Sequence, residues 1–469
     1  MATRTVSVAR RSPSITLTKP RPTVAAPGLR LTPARTGDHG LIHRLLVSVF
    51  HGPSAGEFHA QLDEPGYEPA DRLVVKDGEQ IAAHLRLARQ TIRVGEAALP
   101  AARFMDLATA PEYRSRGLAT TMLAAGERAA AERGVLIGLT RTRVPALFAR
   151  LGWAICGRHN YSSAAPRAVL AELGATAAGV IDARPAAPVG LPLPPVEPIV
   201  VRPLRRIELP AIVRLYEQQS AGRRGWPIRS EAYWDWLLAR GACDRIYVAA
   251  TGTEPAELPK LIDSIVGYAF VRQCRLVEVI AAPGRDEVAR HLTARVCADA
   301  SEQDDWLVRC DAPPEHPLHV LFRQAGGKVT SSQELGGEVF MARLLDPLAL
   351  LRQLQPTFTA RARAADVHRP SILGIELRSG CGKKDQGVIE RFRIQLGRRR
   401  TTIETGGPSR HTVTLRYTDL APLLLGDQSA ADLAAANRLR ASTKKSNHLA
   451  AALFPGNSWW RPPLDDLLA

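Results

Sequence analysis

The residues best suited to chemistry lie between Arg103 and Thr120. A run with strand character passes through Ala110-Pro111 into a short basic loop, and the pattern predicts a helix from about Gly117. Within it, Arg114-x-x-Gly117-x-Ala119 combines small residues, which let a ligand approach the backbone, with two flanking arginines, Arg114 and Arg116. The first N–H groups of a helix have no partner inside it, and the aligned peptide dipoles add partial positive charge there. Such a site suits a diphosphate. The bare pattern recurs by chance in Arg- and Ala-rich sequence, but its surroundings sharpen it. A strand precedes it, Leu118, Met122, Ala125 and Ala129 share one helix face, and a second strand follows at Val135–Leu139. The bland alternative is a βαβ crossover with a solvated basic turn.

Other chemistry-bearing residues are sparse. Asp106, at the end of the first strand, would draw a cationic group or relay its proton; otherwise it is a solvated edge-strand acid. Tyr161 offers a proton donor on residue type and nearness alone. The six cysteines (156, 243, 274, 297, 310 and 381) are scattered without a CxxC pair, which argues for reduced thiols in a cytoplasm and against a zinc site. The net charge of +16 favours polyanions, but aromatics make up only 5% and no nucleic-acid-binding motif accompanies it, so nucleic acid is not the expected partner. No apolar run reaches membrane-spanning length.

The elements that must position these residues follow in order. Residues 1–28 lack acids and an apolar core segment and read as a disordered basic extension. Strand Leu29–Thr32 leads to a helix capped by Asp38, with Leu41, Ile42, Leu45, Leu46 and Val49 at helical spacing. A looser segment runs from His51 to Asp71. Strand Arg72–Val75, the turn Asp77-Gly78 and a long strand from Gln80 to Val94 form a hairpin. Beyond the second strand of the crossover, Pro145–Trp153 reads as a short helix started by proline, with Gly152 at its end.

At Arg114-x-x-Gly117-x-Ala119 and the preceding Ala110-Pro111-Glu112-Tyr113 the chain resembles the GNAT acyl-CoA transferases. The resemblance implies acetyl-CoA as cosubstrate and no metal. Leu107, Ala108 and Thr109 would pair with the pantetheine arm, and Ser115, Arg116, Gly117, Leu118, Ala119 and Thr120 would hold the pyrophosphate beside Arg114. Arg143 and Val144 complete the implied cofactor-binding set. Phe148 stands where the family often carries a tyrosine that protonates the departing thiolate. A phenyl ring supplies no proton, so this departure bears on catalysis and leaves cofactor binding untouched.

Residues 164–198, rich in Ala, Pro and Gly, read as a linker with one helix around Ala168–Leu173. Residues 199–345 echo the first unit three times in order, at Ile199–Pro203, Leu276–Pro283 and Leu321–Gly326. Where the first unit has its basic loop, this one has Gly284-Arg285-Asp286-Glu287, whose acids would repel a pyrophosphate. Its Trp226, Tyr233, Trp234 and Trp236 read as packing. Residues 346–469 alternate strands with helices, starting from an Asp346-Pro347 cap and including helices at Thr418–Leu425 and Ala430–Leu439.

The expected fold class is α/β with mixed sheets: a GNAT unit (29–163), a linker, a degenerate second copy (199–345) and a sterol-carrier-like α/β unit (346–469). Taken whole, this resembles the enhanced-intracellular-survival family of N-acetyltransferases. The resemblance implies acetyl transfer to a primary amine, a small molecule or lysine side chain, by a cytoplasmic homo-oligomer. In that family the terminal carboxylate serves as general base, which makes Ala469 its counterpart here, although Arg461 to Ala469 differs from the family's short aromatic end. The rival expectations are a catalytically silent acyl-CoA sensor, a scaffold whose last unit holds an apolar ligand, and, last, a nucleic-acid binder.

Overall fold

The computed structural model describes residues 28–182, 198–252, 257–331, 338–367, 370–379, 387–457 and 459–467. Of the basic extension, only residue 28 falls among them; residues 183–197 of the expected linker, Cys381 and Ala469 lie outside.

The first part of the chain runs β1 (Leu29–Pro33), α1 (His39–Phe50), α2 (Ala55–Leu62), β2 (Arg72–Asp77), β3 (Gln80–Val94), β4 (Ala97–Thr109), α3 (Leu118–Glu132), β5 (Ile137–Thr142), α4 (Pro145–Ala149), β6 (Ala154–Arg158), β7 (Asn160–Ala164) and α5 (Pro166–Asp182). The second continues with β8 (Ile199–Pro203), α6 (Leu209–Ser220), β9 (Arg224–Pro227), α7 (Glu231–Ala239), β10 (Arg245–Thr251), α8 (Leu258–Ser264), β11 (Ile265–Arg272), β12 (Arg275–Ala281), α9 (Asp286–Glu302), β13 (Val308–Asp311), α10 (Leu318–Gln324), β14 (Lys328–Ser331) and β15 (Val339–Leu344). The third comprises α11 (Pro347–Gln353), α12 (Gln355–Ala364), β16 (Ser371–Arg378), β17 (Val388–Leu396), β18 (Thr401–Thr405), β19 (Thr412–Arg416), α13 (Tyr417–Leu425), α14 (Ala430–Ala435), β20 (Leu439–Ala441) and α15 (Lys444–Leu453).

Three mixed sheets result. The first has the order β1-β2-β3-β4-β5-β15-β6, with β9 paired to β3; the second is β14-β7-β13-β12-β11-β10-β8; the third is β18-β17-β16-β19-β20. The third sheet lies wholly beyond the boundary expected at 345/346, but the hydrogen bonds do not respect the division expected between the first unit (29–163) and the second (199–345). β7 leaves the first part and pairs with β13 and β14, while β15 crosses back and lies antiparallel between β5 and β6. The exchange is non-local, and a strand's own side-chain alternation says nothing about which neighbour it joins.

Several local expectations are also corrected. The segment 51–71 contains α2, whose start is a reciprocal cap: Ser54 Oγ accepts from the Glu57 N–H and Glu57 accepts from the Ser54 N–H. Such a cap is worth roughly 1 kcal/mol. Asp38 does not cap α1; its carboxylate takes the Arg35 N–H and Lys76. β4 begins at Ala97, and β5 begins at Ile137. The helix expected around Ala168–Leu173 in the linker is present as α5 but longer, Pro166–Asp182, and it packs against α9. The helix expected over Ala430–Leu439 ends at Ala435, and Leu439 opens β20. Asp346 caps α11 as expected, accepting from the Ala349 N–H.

The first sheet is covered on both faces. Ile42, Leu46 and Phe58 of α1 and α2, with Met122 and Leu123 of α3, form one core with Leu85, Leu87 and Phe104. Ile92, Leu99, Ile137 and Phe340 join Leu350, Phe358, Leu424 and Leu453 of the third part in another. A sheet covered on both sides accounts for the unbroken burial of β3 from Ile81 to Ala88, which takes in His84 and Arg86.

From the third part the chain returns as a tail between the other two. Trp459 lies so close to Gly157 and Gly225 that a Cβ on either would stand 2.5 or 2.6 Å from its ring. Asp465 then meets Arg229, which also holds Glu278; all three are buried. Trp234 is indeed packing, but around an internal cation, with the Arg229 guanidinium 4.5 Å from its ring.

Candidate functional site

Strand β4 carries the site because it loses its neighbour partway. It pairs in parallel with β5 only at Ala101–Arg103 against Ile137–Leu139. Just beyond, Thr140 Oγ1 donates to the Phe104 carbonyl at 2.9 Å. The two strands bound a cavity of about 540 Å³, lined by Arg103–Leu107 of β4, Leu139–Val144 of β5 and its continuation, and Leu147 and Phe148 of α4. On its other edge β4 contains a bulge. His84 pairs with Ala108 and Arg86 with Met105, so Asp106 and Leu107 together face Leu85. Asp106 has φ of 52°, the left-handed region that a non-glycine residue rarely adopts.

After Thr109 the chain makes a single tight turn at Pro111–Tyr113, and Tyr113 anchors it by donating from its hydroxyl to Asp77 at 2.8 Å. Gly117 follows with φ of 76° as the residue before α3, and no side chain caps the helix start. The first amides of α3, at Leu118, Ala119 and Thr120, are therefore left for a ligand. Arg114 and Arg116 are exposed on the same loop; Arg116 rests on the Tyr113 ring at 5.1 Å. Close packing holds the helix in place, for a Cβ on Gly126 would stand 2.7 Å from Leu85.

The structure thus brings together Asp106, Leu107, Arg143, Val144 and Phe148 around one cavity, with Thr109 and the loop Arg114–Thr120 continuing from β4. Ala108 faces the interior beside β3. Val144 is an exposed lip, and Arg143 pairs with Glu338 at 3.3 Å. Phe148 is both wall and core: it is buried, edge-on to Trp153 at 5.5 Å. Tyr161 is not brought there. It sits on β7 in the second sheet, under the Arg309 guanidinium at 3.5 Å. Ala469 lies outside the described residues.

Residues without sequence signals complete the cavity. Trp459, Arg461 and Asp466 arrive on the tail and Glu338 on the approach to β15. Arg461 donates to Asp466 and to Gln90. Arg103 binds Glu64, the Asp465 carbonyl at 2.7 Å and Asp466 at 3.5 Å. Burial alone would lower the Arg103 pKa, but Glu64, Tyr233 and the two tail aspartates outweigh it and raise it. Glu338 is held down at about 2 by His159 and Arg141, against its burial. By contrast, one Asp106 oxygen, Oδ2, is buried without a hydrogen-bond partner; Arg72 Nη1 stands 3.9 Å away. That oxygen is closed to solvent and faces the buried Arg72 cation, whereas the Asp106 side chain as a whole is 17% exposed and lines the cavity.

Residues 30–156 match the family model of the acetyltransferase (GNAT) domain, and residues 389–462 match that of the sterol carrier protein domain. Three solved structures share the fold across almost their full lengths. The GCN5-related N-acetyltransferase from Anabaena variabilis ATCC 29413 is 16% identical, with 92% of this chain and 99% of that one covered and a TM-score of 0.67. The GCN5-related N-acetyltransferase from Kribbella flavida is also 16% identical, with 92% and 99% covered and a TM-score of 0.64. Eis1 from Mycobacterium abscessus is 15% identical, with 92% and 98% covered and a TM-score of 0.57. No curated protein matches. The expected mixed α/β class holds, and the open strand pair and the bare helix start belong to a chain with a GNAT acetyltransferase domain at one end and a sterol carrier protein domain at the other.

Proposed function

We propose that the protein transfers an acetyl group from acetyl-CoA to a primary amine, on a small molecule or a lysine side chain, in the reducing cytoplasm and as a homo-oligomer. The observation that carries this reading is the parting of β4 from β5 beyond Arg103 and Leu139, in line with the uncapped start of α3. The parted strand edges receive an extended arm, and the α3 amides with Arg114 and Arg116 receive its diphosphate. Bound acetyl-CoA supplies an acyl group activated as a thioester. The Asp106 carboxylate, which lines the cavity, holds the amine as its ammonium and draws off a proton; the freed nitrogen bonds to the thioester carbonyl carbon, the C–S bond breaks, and CoA leaves as its thiolate, which takes a proton from solvent. The second loop takes no part: Arg285 there is bound by Glu287 at 2.8 Å, and Asp286 and Glu287 fill the first turn of α9.

The test is release of free CoA from acetyl-CoA with a panel of amines. Thiol formation that depends on the amine supports transfer. Tight acetyl-CoA binding with thiol release no faster than slow hydrolysis overturns it in favour of a silent acyl-CoA binder or scaffold. That second reading is favoured by one observation: among the described residues lining the cavity there is no tyrosine, and Phe148 stands at its wall.

A further inference from the structure

Behind Asp106 lies a buried polar chain that acetyl transfer does not by itself require. The bulge frees the Asp106 carbonyl from the strand ladder, and His84 Nδ1 meets it at 2.9 Å. On the other side of the ring, Arg72 Nη1 is 3.2 Å from His84 Nε2. A carbonyl can only accept and a guanidinium can only donate, so the ring is the neutral tautomer with its proton on Nδ1. Burial and the neighbouring Arg72 hold its pKa well below the ordinary histidine range, which keeps it neutral. Arg72 is itself fixed: Nη2 donates to Gln61 at 2.8 Å, Nε donates to the Tyr67 hydroxyl at 3.2 Å, and its guanidinium lies 4.8 Å from the Phe58 ring. His84 and Arg72 are both fully buried.

We propose that His84, braced by Arg72, is a positioning residue that holds Asp106 in its left-handed conformation and so aims the carboxylate at the acceptor amine. This rests on the amine-binding role given to Asp106 above. A non-glycine residue at positive φ persists only where its surroundings hold it there. Here the hydrogen bond to its carbonyl does so, and the same Arg72 that braces the ring forms a long ion pair with its carboxylate at 3.9 Å.

Two substitutions separate the halves of the ring. His84→Gln keeps an acceptor for Arg72 at the place of Nε2 but offers no donor at the place of Nδ1. His84→Asn keeps the donor and gives up the acceptor. With the full chain, His84→Gln is expected to lower kcat/KM for the amine about 10- to 100-fold, mainly through the amine's KM. Its acetyl-CoA affinity by calorimetry should stay within about twofold, since the α3 amides are untouched. His84→Asn should stay within about threefold of the parent in kcat/KM, because the bond to the carbonyl survives. A His84→Gln enzyme as active as the parent, or a His84→Asn enzyme impaired as far as His84→Gln, overturns the proposal. A crystal structure of His84→Gln gives a readout independent of turnover. Asp106 should leave the positive-φ region, and an unchanged bulge would refute the positioning role. If the parent itself releases no CoA with any amine, the functional reading fails, while this backbone test still decides what His84 does.

Discussion

In the proposed reaction Gly117 and Asp106 carry most of the chemistry, and each has a distinct expected phenotype. Gly117 precedes α3 with φ of 76°, a conformation that strains any side chain, and its position points a new carboxylate at the diphosphate site. Gly117→Glu is expected to weaken acetyl-CoA binding by at least about a hundredfold in calorimetry. Retained affinity would place the phosphates elsewhere. Asp106→Asn keeps the shape but loses the charge that attracts an ammonium. It should reduce amine-dependent kcat/KM by about 10- to 100-fold with acetyl-CoA affinity unchanged. A parallel loss of acetyl-CoA binding would show that Asp106 shapes the cofactor site instead.

At the scale of elements, the seam between the first two sheets and the tail decide stability. His159, where the chain passes from β6 to β7, meets Asp311 of β13 at 2.8 Å, and Asp311 also binds Arg275 and Arg309. Burial pushes the Asp311 carboxyl up, but these partners outweigh it and hold it at about 2, below the ordinary 3.8. A carboxyl depressed in the folded state contributes stability that is present above its unfolded pKa and is lost as pH falls through the folded one. Stability should therefore drop between about pH 4 and 2, and Asp311→Asn should flatten that slope in denaturant titrations. An unchanged slope would remove Asp311 from the seam. In the tail, Asp465→Ala deprives buried Arg229 of one of its two carboxylates and should destabilise the fold on the order of 3 kcal/mol by chemical unfolding.

The elements legible in the sequence were those whose signals are local. The Arg114-x-x-Gly117-x-Ala119 loop, the Asp77-Gly78 hairpin and the α11 cap are each decided within a few residues. Ser54-x-x-Glu57 was equally local, yet Gly52, Pro53 and Pro65 around it made α2 read as loop. The tail aspartates gave no warning, because an acidic pair in a C-terminal segment is ordinarily solvated. Only the arginines Arg229 and Arg103, far away in the sequence, make Asp465 a core residue. The bulge at Asp106 was hidden for the same reason: it is a property of the β3 register and of His84, not of β4 alone.

At the scale of the whole molecule, the first GNAT unit is not a detachable piece. Its sheet needs β15 between β5 and β6, and its second face is buried by helices α11 to α15. A fragment of residues 29–163 would expose Ile92, Leu99 and Ile137 and leave two strand edges open. It is expected to aggregate or to lack dispersed NMR signals, whereas the full chain folds cooperatively. A well-folded fragment that bound acetyl-CoA would show that β15 is an accessory.

The crossing of β15 also sets a clock on synthesis. Ribosomes deliver β5 and β6 long before Val339 emerges, so the nascent first sheet has a gap that must be bridged or shielded while the intervening chain is made. Because such distant pairing is slow to form, the cavity beside β4 and β5 acquires its full lining only after Phe340, and later Trp459 and Asp466, have been made.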